Sequence, residues 1–129
     1  MKLIHKVGAV ELVLGVVAAA GLFAQVKRTV VDTADVSVSG REAVISRIEI
    51  PAGVSAGPDT HPRDEMSYIL DGLADISMEG QPVRHIKTGD GFVVPANTKH
   101  ELHNTGTQTL KLIAVFVVEK GKPLVAPVP

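Results

Sequence analysis

Apolar and polar residues alternate along most of the chain after residue 24, and no stretch there repeats apolar residues at helical spacing over three turns. Alternation predicts short β-strands, because successive side chains of a strand point to opposite faces. The runs predicted as strands are Val26–Val38, Glu42–Ile50, Glu65–Leu70, Leu73–Met78, Val83–Ile86, Gly91–Val94, His100–Asn104 and Leu110–Val118. So many short strands predict an all-β sandwich or barrel, the jelly-roll form included.

The segments between these runs are rich in turn-forming residues. Asp71-Gly72 lies between two predicted strands and predicts a β-hairpin, because a type I′ turn needs positive φ angles. Gly80–Pro82, Thr88–Asp90 and Thr105–Thr107 are further predicted turns. Prolines recur over residues 121–129, so this end of the chain is predicted to be an extended tail that supplies no central strand.

Two of the predicted strands are apolar on both faces, Glu65–Leu70 and Leu110–Val118. A single small barrel has one interior, so the second apolar face needs a cover. That cover is either an overlying strand or a second subunit. We therefore expect a homodimer, since two-fold symmetric dimers are the commonest soluble assembly.

The amino-terminal segment has the layout of a secretory signal peptide. Two lysines precede the apolar run Leu12–Ala24, which ends in small residues and is short for a membrane span. We predict a signal peptide over residues 1–24, cleaved after Ala24 or alternatively after Ala20, and hence a periplasmic or secreted protein. An uncleaved anchor or a buried helix is the alternative. Cleavage would leave no stable membrane anchor.

The composition excludes several functions. The chain has no cysteine, which excludes disulfides, thiolate catalysis and cysteine-ligated metals. The chain has 13 Lys+Arg and 14 Asp+Glu, so its net charge is −1 and it lacks the excess of basic residues that indicates nucleic-acid binding. One Tyr, three Phe and no Trp leave few platforms for stacking bases or flat cofactors.

Four residues are candidate metal ligands. Asp59, His61 and Glu65 are separated by even numbers of positions, so in an extended strand their side chains would share one face. His100 opens a later predicted strand. Two imidazoles and a carboxylate suit a divalent transition metal.

Two stretches containing these residues resemble the two sequence motifs of the cupin family. Residues 53–72 match G-x5-H-x-H-x3-E-x6-G at every spacing, and residues 89–104 match G-x5-P-x-G-x2-H-x3-N at every spacing. Asp59 stands where cupins usually have their first metal-binding His, and Asn97 stands where they have Gly. The resemblance implies a small single-domain cupin of the exported bacterial kind, with a jelly-roll β-barrel over residues 25–129.

The resemblance also implies a ligand set. Cupins usually hold their metal with three His and one Glu, which here would be His61, Glu65 and His100, with Asp59 as the fourth ligand. Asp59 makes the set harder, and Fe, Mn, Ni and Zn all remain open as the metal. If the short Asp59 side chain does not reach the metal, it leaves an open position for water or substrate, or no metal is held.

Two functions of different classes follow. The first is a metal-dependent, dioxygenase-like oxidoreductase acting on a small organic molecule, with Glu65 as the candidate catalytic base. The second is a non-catalytic exported cupin that binds a metal or small ligand, which the altered position 59 favours. The cupin fold is compatible with both functions, because cupins include dioxygenases, isomerases, decarboxylases and non-enzymatic binding proteins.

The other notable residues have structural interpretations. Phe92 is expected in the core, Asn104 in a turn and Tyr68 in packing. His85 is expected on the surface or at a dimer contact, and His103 is expected to point away from the metal. Arg63 lies in the loop between two ligands and is expected to be solvated, or alternatively to pair with an anionic substrate.

Overall fold

The computed structural model describes residues 25–122, and this part of the chain is all β. The signal segment predicted over residues 1–24 and the tail from residue 123 onward lie outside the described residues. The strands are β1 (Lys27–Asp35), β2 (Arg41–Ile50), β3 (Ser55–Asp59), β4 (Asp64–Asp71), β5 (Leu73–Met78), β6 (Arg84–Lys87), β7 (Gly91–Val94), β8 (His100–Asn104) and β9 (Leu110–Glu119). Between residues 25 and 122 there is no helix of the length and apolarity that crossing a bilayer requires.

The strands form two antiparallel sheets that pack face to face as a jelly roll. The five-stranded sheet has the order β1-β2-β9-β4-β7, and the four-stranded sheet has the order β3-β8-β5-β6. Apart from the consecutive pairs β1-β2 and β5-β6, neighbouring strands are far apart in sequence, as when β9 pairs with both β2 and β4. The two predicted motifs therefore meet across the barrel: the first ends in β4 of one sheet, and the second ends in β8 of the other.

The core lies between the sheets and follows the predicted alternation. In β9, Leu110, Leu112, Ala114, Phe116 and Val118 face inward and are buried. These contacts dominate stability, because truncating one fully buried leucine to alanine typically costs about 2–5 kcal/mol. Phe92 is buried in the same cluster, as predicted.

The outer side of the five-stranded sheet is also apolar. Met66, Tyr68 and Val93 are 37%, 52% and 56% exposed, and Ile113 and Val115 beside them are half-buried. We call these five residues the outer apolar face. Tyr68 faces outward, on the opposite side of β4 from Glu65, Ser67 and Ile69, and lies outside the core of the described residues.

Asp71-Gly72 does not form the predicted hairpin. β4 belongs to the five-stranded sheet and β5 to the four-stranded sheet, so the chain crosses between sheets at Gly72. Gly72 has φ 121°, and a Cβ there would lie 3.0 Å from Cδ1 of Leu110. The glycine is therefore required, as predicted, but for a corner packed against β9 rather than for a type I′ turn.

β3 was not predicted from the sequence. Its residues, SAGPD, lack apolar alternation and include Gly57 and Pro58, which are usually strand breakers. The strand forms because it pairs with β8, with Ser55 opposite His103 and Asp59 opposite His100. Asp59 and Glu65 thus lie on different strands in different sheets, so the single-strand parity argument for residues 59, 61 and 65 is wrong.

Candidate metal centre

Three backbone segments bring the candidate ligands together inside the barrel. Glu65 lies near the start of β4, in the five-stranded sheet, opposite Phe116 of β9. His100 is the first residue of β8 in the four-stranded sheet, opposite Met78 of β5. His61 lies in the short loop that carries the chain from β3 to β4. The site therefore spans both sheets at one end of the core.

Three of the four predicted residues converge on one point. His61, Glu65 and His100 each offer a ligand atom within 4.8 Å of the others. Oε1 of Glu65 lies 3.4 Å from Nε2 of His61 and 3.7 Å from Nε2 of His100. The two imidazole rings meet edge to face with centroids 4.7 Å apart. All three side chains are at least nine-tenths buried.

Backbone carbonyls fix the orientation of both histidine rings. Nδ1 of His61 lies 3.0 Å from the carbonyl oxygen of Arg63, and Nδ1 of His100 lies 2.9 Å from that of Thr98. A carbonyl oxygen only accepts, so each Nδ1 carries a proton and donates it. Nε2 of each ring therefore faces Glu65, and it is the nitrogen that would bind a metal in place of a proton.

Glu65 is held by a residue that the sequence analysis missed. The hydroxyl of Ser67 donates to Oε2 of Glu65 at 2.8 Å, which leaves Oε1 turned toward the two histidines. Burial alone would raise the pKa of Glu65, but hydrogen bonds with His100, His61 and Ser67 outweigh it and lower the pKa to about 2. The carboxylate is therefore ionised at any physiological pH. Inward-facing parity with Glu65 was the only sequence signal for Ser67.

The pKa of His100 is shifted upward, whereas that of Glu65 is shifted downward. Burial would lower its pKa, but the hydrogen bond to Glu65, the Thr98 carbonyl and the negative charges of Glu65 and Asp59 together raise the pKa above its usual 6.5. In the metal-free protein this ring therefore gains a proton more readily than a free histidine does.

Asp59 lines the same pocket without joining the group of three. It lies directly opposite His100 in the pairing of β3 with β8. Its carboxylate lies outside the set of ligand atoms that are mutually within 4.8 Å. Asp59 is half-buried, and its charge acts on both His100 and Arg63. The structure thus places it beside the donor set, facing the same cavity.

Arg63 is buried rather than solvated, contrary to the first expectation for it. The residue is 9% exposed, and its guanidinium carbon lies 5.1 Å from the centroid of the Phe116 ring. Phe116 also contacts the ring of His61 edge to face, with centroids 6.0 Å apart. Neither contact was visible in the sequence, because both depend on β9 lying beside β4.

The other two histidines within residues 25–122, His85 and His103, lie away from the site, as predicted. His103 faces the opposite side of β8 from His100, where its Nδ1 lies 2.7 Å from the hydroxyl of Ser55. His85 is exposed and pairs with Asp75. Asn104 stabilises a turn, since its amide donates to the carbonyls of Ile50 and Gln108 and its oxygen accepts from the amide of Gly106.

A cavity of about 380 Å³ opens onto the three convergent residues. The polar residues that line it include His61, Glu65 and His100, together with Asp59, Arg63 and Arg28. Apolar side chains of both sheets complete the wall: Ile48, Ile50, Phe92, Leu102, Leu112 and Phe116. A cavity at the lower end of the usual range for ligand pockets fits a small organic molecule.

The fold and the site define a class: a jelly-roll barrel with two histidines and a glutamate converging in its pocket. The family model for the cupin domain, Cupin_2, matches residues 46–116, which is more than half of the chain. The protein therefore belongs to the cupin family. The matched range contains all four predicted metal ligands and all of the strands from β3 to β8.

Solved cupins share the fold. The cupin domain of Cnp3 from Schizosaccharomyces pombe is 18% identical with a TM-score of 0.63, covering 74% of this chain and 66% of that one. KdgF from Halomonas sp. is 20% identical with a TM-score of 0.59, covering 74% and 81%. The DMSP lyase DddQ from Ruegeria pomeroyi is 23% identical with a TM-score of 0.57, covering 63% and 41%. This chain spans less than two thirds of the Cnp3 and DddQ chains, and at these identities the likeness establishes the fold alone.

Proposed function

We propose that this protein is a metal-binding cupin that holds a divalent transition metal, Fe, Mn, Ni or Zn, at His61, Glu65 and His100. The observation that carries the proposal is the pair of Nε2 atoms, both oriented by backbone carbonyls and both beside Oε1 of Glu65. Two imidazole nitrogens and one carboxylate oxygen form the facial donor set of non-haem iron enzymes and leave coordination positions open.

Each residue of the site has a separate role in binding the metal. His61 and His100 supply neutral nitrogen ligands, and Glu65 supplies a charge that offsets part of the metal's. Ser67 keeps Glu65 turned toward the histidines. Apolar side chains of both sheets line the rest of the pocket. When bound, the metal would supply Lewis acidity or redox chemistry to a substrate in an open position.

For the activity, we propose a dioxygenase-like oxidoreductase acting on a small organic molecule. The facial donor set and the small, largely apolar cavity support this class. Glu65 is the candidate catalytic base, because it is a carboxylate that lines the cavity. This proposal keeps Asp59 as a fourth ligand. Rotation of its side chain, from its position opposite His100, would bring the carboxylate to the metal.

The second candidate is a non-catalytic exported cupin that binds a metal or a small ligand. Asp59 favours it, because its carboxylate lies outside the converging group at the position where cupins usually have a histidine. A redox-active ion at near-stoichiometric content in protein expressed without a tag supports the enzyme. Binding of a redox-inert ion alone supports the non-catalytic candidate.

Calorimetric titration of zinc into chelator-stripped protein tests the metal site itself. We expect His100→Ala to abolish binding, and Asp59→His to tighten it by restoring the usual ligand set. His103→Ala is the matched control, because His103 lies three residues along the same strand on the other face. If His100→Ala binds zinc as tightly as His103→Ala does, the proposed site is wrong.

We also propose that the protein is an exported homodimer. The outer apolar face supports self-association, because exposed side chains as large as Tyr68 and Val93 occur together on one sheet. Light scattering on the native chain should give twice the monomer mass, and Val93→Glu should halve it. Export is supported by the sequence of residues 1–24. The mass of the protein recovered from the periplasm or medium should show loss of that segment.

A further inference from the structure

We propose that the pocket takes a small organic carboxylate, and that Arg63 is the residue that binds its carboxylate group, with Arg28 beside it at the pocket mouth. This inference rests on the proposed metal site and names the class of molecule that would occupy the cavity above it. It assigns a binding role to two arginines that the metal site does not use.

Arg63 is a buried cation without a direct counter-ion. The residue is more than nine-tenths buried, and its Nε has no hydrogen-bond partner within residues 25–122. No carboxylate of that part of the chain lies within 4.0 Å of its guanidinium. Burying a charge is costly unless it is paired. An anionic ligand is the partner that this arrangement lacks.

The guanidinium lies against an aromatic ring that also contacts the metal site. It packs over the ring of Phe116, which in turn contacts His61. The carbonyl of the same residue orients His61. Arg63 lines the same cavity as His61, Glu65 and His100, so one molecule could contact both Arg63 and the metal. A planar guanidinium presents paired donors that match a carboxylate in geometry as well as in charge.

The charges around the cavity favour an anion once the metal is bound. Arg28 and Arg63 are balanced by Asp59 and Glu65 in the metal-free pocket. A bound divalent ion raises the net charge of the pocket to about +2. The apolar wall weakens the screening of these charges by solvent. Arg28 lies near enough for its charge to oppose protonation of Arg63, which places both cations on one region of the pocket.

The wall of the cavity limits the rest of the molecule. Ile48, Ile50 and Leu102 line it with hydrocarbon, and its volume is about 380 Å³. These features fit a short aliphatic or monocyclic acid better than inorganic phosphate, which has no apolar part to bury. Butanoate and butanamide form a suitable pair of probes, because they have nearly the same shape and differ in charge.

The test measures binding of both probes to the zinc-loaded protein by ligand-observed NMR. We expect butanoate to bind at least about tenfold more tightly than butanamide or phosphate. Arg63→Gln should lose about 10–100-fold in butanoate affinity, as expected when a desolvated ionic hydrogen bond is removed. Arg28→Gln, at an exposed position, should lose about two- to fivefold. Arg47→Gln, an exposed arginine on β2 away from the cavity, should change nothing.

Zinc affinity, measured first, separates this inference from the proposed function. If wild-type protein does not bind zinc, the metal site is wrong, and butanoate binding to the metal-free chain still tests Arg63. If zinc binds but butanoate and butanamide bind equally, or phosphate binds more tightly, the carboxylate inference is overturned. The same holds if a folded Arg63→Gln protein binds butanoate like the wild type. If that variant does not fold, the probe pair and Arg28→Gln decide.

Discussion

Replacing Ser67 by alanine removes the hydroxyl that donates to Oε2 of Glu65 at 2.8 Å. Ser67 is 7% exposed and lies two positions from Glu65 on β4, so water does not readily replace the lost donor. The recorded contacts of Glu65 with His61 and His100 use the other oxygen, Oε1. We therefore expect the carboxylate to lose its fixed orientation and to hold a metal less tightly.

The magnitude follows from the geometry of this buried contact. A hydrogen bond to a charged group contributes about 1.5–3 kcal/mol. Since each 1.4 kcal/mol is about a tenfold change in affinity, the loss is about 10–100-fold in the dissociation constant for zinc. Substitutions of groups that orient metal ligands typically cost about the same, 10–100-fold.

Ser46→Ala is the matched control. Ser46 and Ser67 lie on the two sides of Ala114, one on β2 and the other on β4, and both face the core. The hydroxyl of Ser46 has no hydrogen-bond partner in the described part of the chain, so its removal should leave zinc affinity unchanged. Calorimetry on chelator-stripped proteins measures both. Equal zinc affinity in the two variants would refute the role of Ser67.

Three further predictions concern pH and the barrel. Because the pKa of His100 is raised, its contribution to the stability of the metal-free protein should be present below about pH 6.5 and lost as pH rises through the raised value. Zinc affinity should change in the opposite direction: it should fall by up to about tenfold per pH unit below that pKa, because protons compete with zinc for His100. Urea unfolding in the presence of a chelator measures the stability change, and calorimetry measures the zinc affinity. Gly57→Ala would place a Cβ 2.8 Å from the His100 carbonyl oxygen, whereas Gly53→Ala meets nothing within 4 Å, so only the first should weaken zinc binding in calorimetry. Asn104→Ala breaks three hydrogen bonds and should lower the free energy of unfolding in urea by about 2–4 kcal/mol; a loss below about 1 kcal/mol would contradict this role.

The fold could be predicted because two signals agree, the alternation along the strands and the spacing of the two motifs. Strands such as Leu110–Val118 bury one apolar set, and the structure reproduces the inward face that the pattern indicates. β3 escaped prediction because its stability comes from pairing with β8 and not from its own residues. Local alternation carries no information about such a partner. The Asp71-Gly72 error has a similar cause, since a corner between sheets and a hairpin can both require a glycine with positive φ.

For the site, the sequence indicated the ligands better than their supports. His61, Glu65 and His100 stand at motif positions, so spacing alone selected them. Ser67 and Arg63 stand at unspecified positions of the first motif, and their roles depend on which strands are neighbours. A charged residue in a short loop is normally solvated, and only the closeness of Phe116 on β9 shows why Arg63 is not. Long-range packing of this kind is absent from a linear pattern.

The bonds from the two histidine rings to backbone carbonyls have a consequence for how such a protein can diversify. Each ring is anchored within two residues of its own position, to Arg63 and Thr98, by atoms that every amino acid possesses. Mutations that reshape the cavity wall therefore leave the ring anchors intact. Selection on the choice of substrate can then proceed with little loss of metal affinity, because the two traits are encoded by largely separate sets of atoms.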